Sequence, residues 1–338
     1  MRMNEKKILH VMVLEKFLAP FIDFVDEHFG REEHHYVFIT SEKYQYGLTP
    51  QHHVEFLHTD DDIFITLLKY MKTAKKIILH GLWRDKVDLV LYSNQELLQK
   101  CYWIMWGGDF YFPEKQTRIR HKIIQKMGYL VTGTTGDYTL VKNLYRANGT
   151  HIKSFNYPSN LYKEYSLKKT PNGCINIQLG NSATQTNKHK EILQSLAKFK
   201  HENIKIYVPL SYGDGIYAKE VIKQGKEIFH DKFFPMTEFM PQNTYIEFLL
   251  DIDIAIFNHE RQQAFGNIIT LLGMGKKVYI HPKSTLNTLM KECDLKTFST
   301  EVIDLSLMQE RDKIKNIISV KNNFSKNALI QNLSHYLT

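Results

Sequence analysis

Cysteine is scarce in this 338-residue chain: Cys101, Cys174 and Cys293 stand far apart. That spacing argues against a disulfide framework or a cysteine-based zinc site, and it fits a reducing cytoplasm. Long hydrophobic runs are missing too; no window approaches the ~18 uncharged apolar residues that a membrane span needs. The opening MRMNEKKILHVMVL is basic, but its apolar stretch is short and lacks a small-residue cleavage site. It reads as a buried first strand and not as a signal peptide. The short signatures of several enzyme classes are also absent. GTTGDY and GDGIY do not supply G-x-G-x-x-G, and GMGKK lies after a helix and before a strand, the wrong order. There is no G-x-x-x-x-G-K-[ST], no H-E-x-x-H and no G-x-S-x-G. A dinucleotide enzyme, a P-loop ATPase, a zincin and an α/β-hydrolase are therefore unsupported. The histidine pairs at 34–35 and 52–53 have no helical i, i+4 partner, which disfavours metal ligation. Asp60–Asp62 reads as a helix cap, and Asp251 and Asp253 sit where a strand starts, opposite the edge where ligands bind.

What is present is an ordinary globular composition, 43% apolar and 12% aromatic, with a formal net charge of +8 and 16 histidines. The charge favours an anionic partner: nucleotide phosphate, nucleic acid or an acidic membrane surface. Short β-type runs alternate with helical patterns almost throughout. KILHVMVL, HHYVFIT, VEFLH, KIILHG, CYWIMWGG and YLVTGT read as strands of a first unit. CINIQLGNS, IKIYVPLSYG, EIFHDKFF, DIAIFN and KKVYIHP read as strands of a second. GIYAKEVIKQG reads as a helix ending at its glycine, and 151–173 as a polar, irregular crossing. This rhythm predicts an α/β fold of two Rossmann-like domains facing a cleft. The expected divisions are 1–157, a linker at 158–173, a second domain at 174–310, and C-terminal helices at 311–338 that pack back on the first domain.

Ligands in such sheets bind at the carboxyl ends of the strands, so the strand-end loops carry the candidate chemistry. In LGNSATQTNKHKEIL, Gly180 allows close backbone approach, Ser182 and Thr184 offer hydroxyls, and Asn187 is placed to cap a helix whose free N–H groups favour phosphate. An ordinary capped turn is the alternative. VPLSYGD brings Ser211 and Tyr212 to the next strand end. FNHERQQAFGN brings Glu260 for sugar hydroxyls, Arg261 for a bidentate grip on phosphate, and Gln262 and Gln263, before Gly266 and Asn267 open a helix. In WIMWGGDFYF, the Gly107-Gly108 turn is expected to project Asp109 among Trp106, Phe110 and Tyr111, where a raised pKa suits a base. A turn aspartate with core aromatics is the alternative. His80 in LHGLW is either a cleft residue or a satisfied structural histidine.

Four strings, taken in order between Trp106 and Gly275, resemble one family: WGGDFY; LGNS with Asn187 and His189; Val208, Pro209 and Tyr212; and RQQ followed by Gly266. The chain is similar to the TDP-N-acetylfucosamine:lipid II N-acetylfucosaminyltransferases of enterobacterial common antigen assembly, glycosyltransferase family 56. The resemblance implies a GT-B glycosyltransferase. Its C-terminal domain would hold a nucleotide-diphospho-sugar, with a TDP-sugar favoured. Its N-terminal domain would hold a polyprenyl-diphosphate-linked saccharide at the inner face of the cytoplasmic membrane. No metal or other cofactor is expected; positive groups and helix ends would stabilise the departing diphosphate. On this reading Asp109 activates the acceptor. Gly180, Asn181, Ser182, Asn187, His189, Ser211, Tyr212, Glu260, Arg261, Gln262, Gln263, Gly266 and Asn267 hold the donor. His80, Trp106 and Tyr111 lie on the acceptor side. The basic segment Lys115–Lys126 would meet anionic lipid, at about 1 kcal/mol per basic residue, or else is a solvated helix face. Two rivals are a nucleotide-sugar epimerase or hydrolase on the same fold and a basic nucleic-acid-binding protein; a nucleic-acid partner is not favoured.

Overall fold

A computed structural model describes residues 7–41, 43, 46–165 and 173–338. The chain forms two compact units, one running to Leu161 and including Lys326–Thr338, the other spanning Tyr162–Ser325. Part of the expected linker, 166–172, lies outside the described residues.

The N-terminal unit is built on seven strands: β1 (Ile8–Met12), β2 (His34–Phe38), β3 (Glu55–Phe56), β4 (Lys76–His80), β5 (Cys101–Ile104), β6 (Tyr129–Thr132) and β7 (Thr150–Lys153). Their order is β3-β2-β1-β4-β5-β6-β7, every pairing parallel. The central runs ILHVM and KIILH are apolar without alternation because helices cover both faces of a parallel sheet. The one departure in β1, His10, is fully buried. The order in which strands are added reverses between β1 and β4, so the loops after these two strands part there and leave a crevice at their carboxyl ends.

Strand β7 covers Thr150 and the first three residues of the stretch 151–173 expected to be irregular. THIK is short, with Ile152 its one apolar residue, and only partly buried, because an edge strand has one sheet neighbour and a solvated side. Its pairing with β6 is a backbone property that side-chain pattern does not announce.

The C-terminal unit holds β8 (Ile175–Leu179), β9 (Ile204–Pro209), β10 (Phe233–Met236), β11 (Ile254–Phe257), β12 (Lys277–Ile280) and β13 (Phe298–Ser299). The order is β10-β9-β8-β11-β12-β13, again parallel, and the winding order reverses between β8 and β11. Two expectations change here. The helix expected to stop at Gly225 runs through it, over Gly215–Phe229, so EIF belongs to the helix and the strand begins at Phe233. Gly225 is there for space: a Cβ at that position would stand 2.1 Å from the Phe233 ring. The segment 311–338 also divides. Helix Glu310–Asn323 packs on helix Phe265–Gly273 in the C-terminal unit, while Lys326–Leu337 belongs to the N-terminal unit.

Candidate active site

In the C-terminal unit the loops after β8 and β11 meet at the point of reversal. Gln263 joins them. Its Nε2 donates to Asn181 Oδ1 at 3.0 Å and to Thr184 Oγ1 at 3.1 Å, with Ser182 Oγ at 3.4 Å. Its Oε1 accepts from Thr186 Oγ1 at 2.9 Å and from Arg261 Nε at 3.2 Å. The loop after β9 joins the same assembly. Asn181 Nδ2 donates to the Tyr212 hydroxyl at 2.9 Å, and Ala183 pairs with Gly213 as a parallel bridge. The loops after β8 and β11 each end in a non-glycine residue of left-handed backbone, Lys188 at φ 51 and Ala264 at φ 57. Such conformations cost free energy and persist where surrounding contacts enforce them, often at functional sites.

The structure corrects the expected roles of two donor residues. Asn187 does not cap the following helix, whose first residue is His189 after Lys188. Its amide instead binds the loop from within, accepting from Asn181 N at 3.3 Å and donating to Thr184 Oγ1 at 2.8 Å. Ser182 is 1% exposed and its hydroxyl bonds Thr184 Oγ1 at 2.9 Å, so it stiffens the loop and does not reach outward. Gly180, at φ 69, makes room for His189: a Cβ there would stand 2.4 Å from His189 Nε2. His189 is buried, and burial holds its imidazole down at about 4. Ser211, Gln262, Gly266 and Asn267 are partly buried around the same strand ends, the last two within the first turn of helix Phe265–Gly273.

The outer rim of this site is charged. Lys188 Nζ donates to Glu260 Oε1 at 2.6 Å, and His281 Nε2 lies 3.8 Å from the same carboxylate. The hydrogen bond from Lys188 holds the Glu260 carboxyl below its usual range. His259, fully buried behind it, donates from Nδ1 to the Arg261 carbonyl at 2.9 Å and so shapes the bend that carries Arg261. Lys188, Thr186 and His259 were not singled out from sequence. The only available sign was their closeness in the chain to the polar strand-end strings.

In the N-terminal unit the Asp109 carboxylate does not project. It is fully buried and accepts from Trp103 Nε1 at 2.8 Å, Leu82 N at 3.1 Å and Trp106 N at 3.2 Å. Burial pushes its pKa up to about 6, opposed by these hydrogen bonds. The side chain therefore ties the turn after β5 to the loop after β4. Tyr111 also turns inward, its hydroxyl bonding the buried Asp137. His80 is 1% exposed and bonds other side chains. Trp106 is half-buried, and its Nε1 donates to the Tyr157 hydroxyl at 2.8 Å.

Around Trp106 stand aromatic rings that sequence reading did not assign. Phe17 lies 5.0 Å from Trp106 and 4.6 Å from Tyr157 between ring centroids, and Trp83 lies 5.8 Å from Trp106. Trp83 is 38% exposed and lies over two glycines; a Cβ on Gly81 or Gly108 would stand 2.0 or 2.7 Å from its ring. Among the described residues, no group of three or more His, Cys, Asp or Glu side chains is placed to hold a metal ion, and no helix is long and apolar enough to cross a membrane.

Solved structures share this architecture across nearly their whole length, three of them as follows. A glycosyltransferase from Rickettsia africae is 14% identical, with 99% of this chain and 98% of that one covered at a TM-score of 0.64. Anabaena HepE, solved in complex with UDP and glucose, is 13% identical, with 98% and 99% covered at 0.65. A UDP-GlcNAc 2-epimerase from Neisseria meningitidis bound to UDP-GlcNAc is 10% identical, with 98% and 99% covered at 0.55. At these identities the likeness establishes the GT-B fold. The family described as 4-alpha-L-fucosyltransferase glycosyl transferase group 56 matches residues 11–337, nearly the whole chain. With its two parallel sheets and strand-end loops, the chain belongs to that family and is a glycosyltransferase.

Proposed function

We propose that this enzyme moves a 4-acetamido-4,6-dideoxy hexose from a nucleotide-diphospho-sugar, a TDP-sugar in preference, to a polyprenyl-diphosphate-linked saccharide. The product would serve bacterial surface polysaccharide synthesis at the inner face of the cytoplasmic membrane. The observation that carries the reading is the Gln263 network, which gathers three strand-end loops where the C-terminal sheet reverses. Arg261, Lys188 and the amino end of helix Phe265–Gly273, which has no acidic residue in its first turn, supply positive potential for a departing diphosphate. The HepE complexes with UDP and UDP-glucose support a nucleotide-sugar as the donor class. Transfer without a bound metal is part of the proposal. So is docking on anionic lipid through the helix Arg118–Lys126, which exposes Arg118, Lys122 and Lys126. Asp109 positions the Trp106 turn in this scheme and does not take the acceptor proton.

A thermal-shift panel of TDP-, UDP- and GDP-sugars in EDTA tests the donor. A ligand at 100 times its Kd stabilises by about 2.7 kcal/mol. Absence of a shift with every one of them would sink the transferase reading. Turnover of the nucleotide-sugar at full rate without any saccharide acceptor would favour the epimerase or hydrolase rival.

A further inference from the structure

The N-terminal unit contains a line of side chains that the donor site does not use. Tyr157 OH lies 2.9 Å from His80 Nδ1, His80 Nε2 lies 3.1 Å from His10 Nδ1, and His10 Nε2 lies 3.0 Å from His34 Nδ1. The three imidazoles are buried, and burial keeps all of them neutral, with His80 down at about 3 and His34 at about 4. Neutral imidazoles each donate once and accept once, so each ring can bridge two neighbours. Trp106 Nε1 is a donor only and already points into the Tyr157 oxygen. A hydroxyl oxygen accepts twice, so Tyr157 joins the Trp106 ring to His80 whichever of Tyr157 and His80 carries the shared proton. The line crosses from the amino end of β2, through the middle of β1, to the carboxyl end of β4. It ends under Phe17, Trp83 and Trp106, at the point where this sheet reverses.

A core histidine set needs no such outlet. Here its terminal hydroxyl fixes the one polar atom of Trp106, and that ring forms a half-exposed wall with Phe17 and Trp83. Flat aromatic walls with fixed orientation suit the apolar faces of sugar rings. We propose that Phe17, Trp83 and Trp106 form the subsite for the acceptor's saccharide, and that the His34–His10–His80–Tyr157 line positions it. The proposal rests on the transferase reading above and deepens it on the acceptor side.

All three tryptophans of the chain, Trp83, Trp103 and Trp106, lie in or beside this wall, so tryptophan emission reports on it directly. The experiment titrates the full chain with a farnesyl-diphosphate-linked N-acetylhexosamine disaccharide, with free farnesyl diphosphate in a parallel arm. Wild type should give a saturable change that farnesyl diphosphate does not reproduce. Trp83→Ala should raise the saccharide Kd at least tenfold. Gly108→Ala, which pushes the Trp83 ring away, should raise it severalfold, and so should Tyr157→Phe. Nucleotide-sugar affinity should stay unchanged in all three. An unchanged saccharide Kd in Trp83→Ala and Gly108→Ala, or an equal response to farnesyl diphosphate, overturns the subsite. A lowered Tm in Tyr157→Phe with an unchanged saccharide Kd overturns the positioning role. If no nucleotide-sugar binds wild type, the transferase reading fails while this titration still reports; if donor binding and transfer are intact and the titration is flat, only the present inference fails.

Discussion

Gln263 Nε2 stands 3.0 Å from Asn181 Oδ1, so a side chain from the loop after β11 completes the amide pairing of the loop after β8. Two segments 82 residues apart in the chain become one polar surface through that contact.

Gln263→Ala removes the joint while leaving both loops on their strands. The expected result is a roughly tenfold weaker nucleotide-sugar Kd, about 1.4 kcal/mol, with a smaller loss of stability, since a net hydrogen bond contributes about 1 kcal/mol. Isothermal titration beside a urea melt separates the two. An unchanged Kd would show that the joint lies away from the donor.

Asp109→Asn places an amide among three N–H donors. One of its faces then opposes a donor, and the fold should lose about 2 kcal/mol. Because the carboxylate holds the Trp106 turn, acceptor KM should rise while donor Kd stays the same. Wild-type stability in a denaturant melt would contradict the positioning role.

Glu260→Gln removes a partly exposed ion pair with Lys188, so stability should change by no more than about 0.5 kcal/mol. Free TDP should bind more tightly, because the carboxylate's charge no longer opposes the diphosphate. The TDP-sugar should gain less than TDP does, since a hydroxyl acceptor is weakened. Equal gains for both ligands would remove Glu260 from the sugar end of the site.

Stability should fall in mild acid. Burial holds His34, His189 and His259 at about 4 and His80 at about 3, and lowers His10 as well. In the unfolded chain these groups titrate near 6.5. Between the two values the unfolded state binds more protons, so each imidazole lowers stability by up to about 1.4 kcal/mol per unit as pH drops below 6.5. Asp88 and Asp109, both pushed up to about 6 by burial, act with the opposite sign and lose stability as pH rises from 4 to 6. The imidazoles outnumber the carboxylates, so Tm at pH 5 should lie below Tm at pH 7. A calorimetric Tm that rises on acidification would contradict the neutral burial of the line.

The parallel sheets were legible because a strand covered on both faces must be apolar throughout, as KIILH and IAIF are. β7 and β13 were missed because a short edge strand is fixed by backbone pairing more than by side-chain pattern. Among candidate residues, the strand-end rule located Asn181, Tyr212, Arg261 and Gln263 on one surface without showing which way each side chain turns. Asp109, Ser182 and Tyr111 turn inward because each finds a buried partner: Trp103, Thr184 and Asp137. Such partners are set by three-dimensional neighbours, which spacing along the chain does not reveal. The histidine line was hidden for the same reason, since its members come from three strands.

The helix Lys326–Leu337 seats Tyr336 in the N-terminal unit, where its hydroxyl donates to Asn156 Oδ1 at 2.9 Å, while Asn332 Oδ1 accepts from Phe155 N at 3.2 Å. Lys76, at the start of β4, donates to the Tyr336 carbonyl at 3.1 Å. During synthesis the ribosome delivers these partners after all of the C-terminal unit. The N-terminal sheet must therefore wait, with an apolar seat uncovered, for a helix made after the C-terminal unit. A nascent chain halted at residue 325 should retain a chaperone on its N-terminal half, although every strand of that half is already translated.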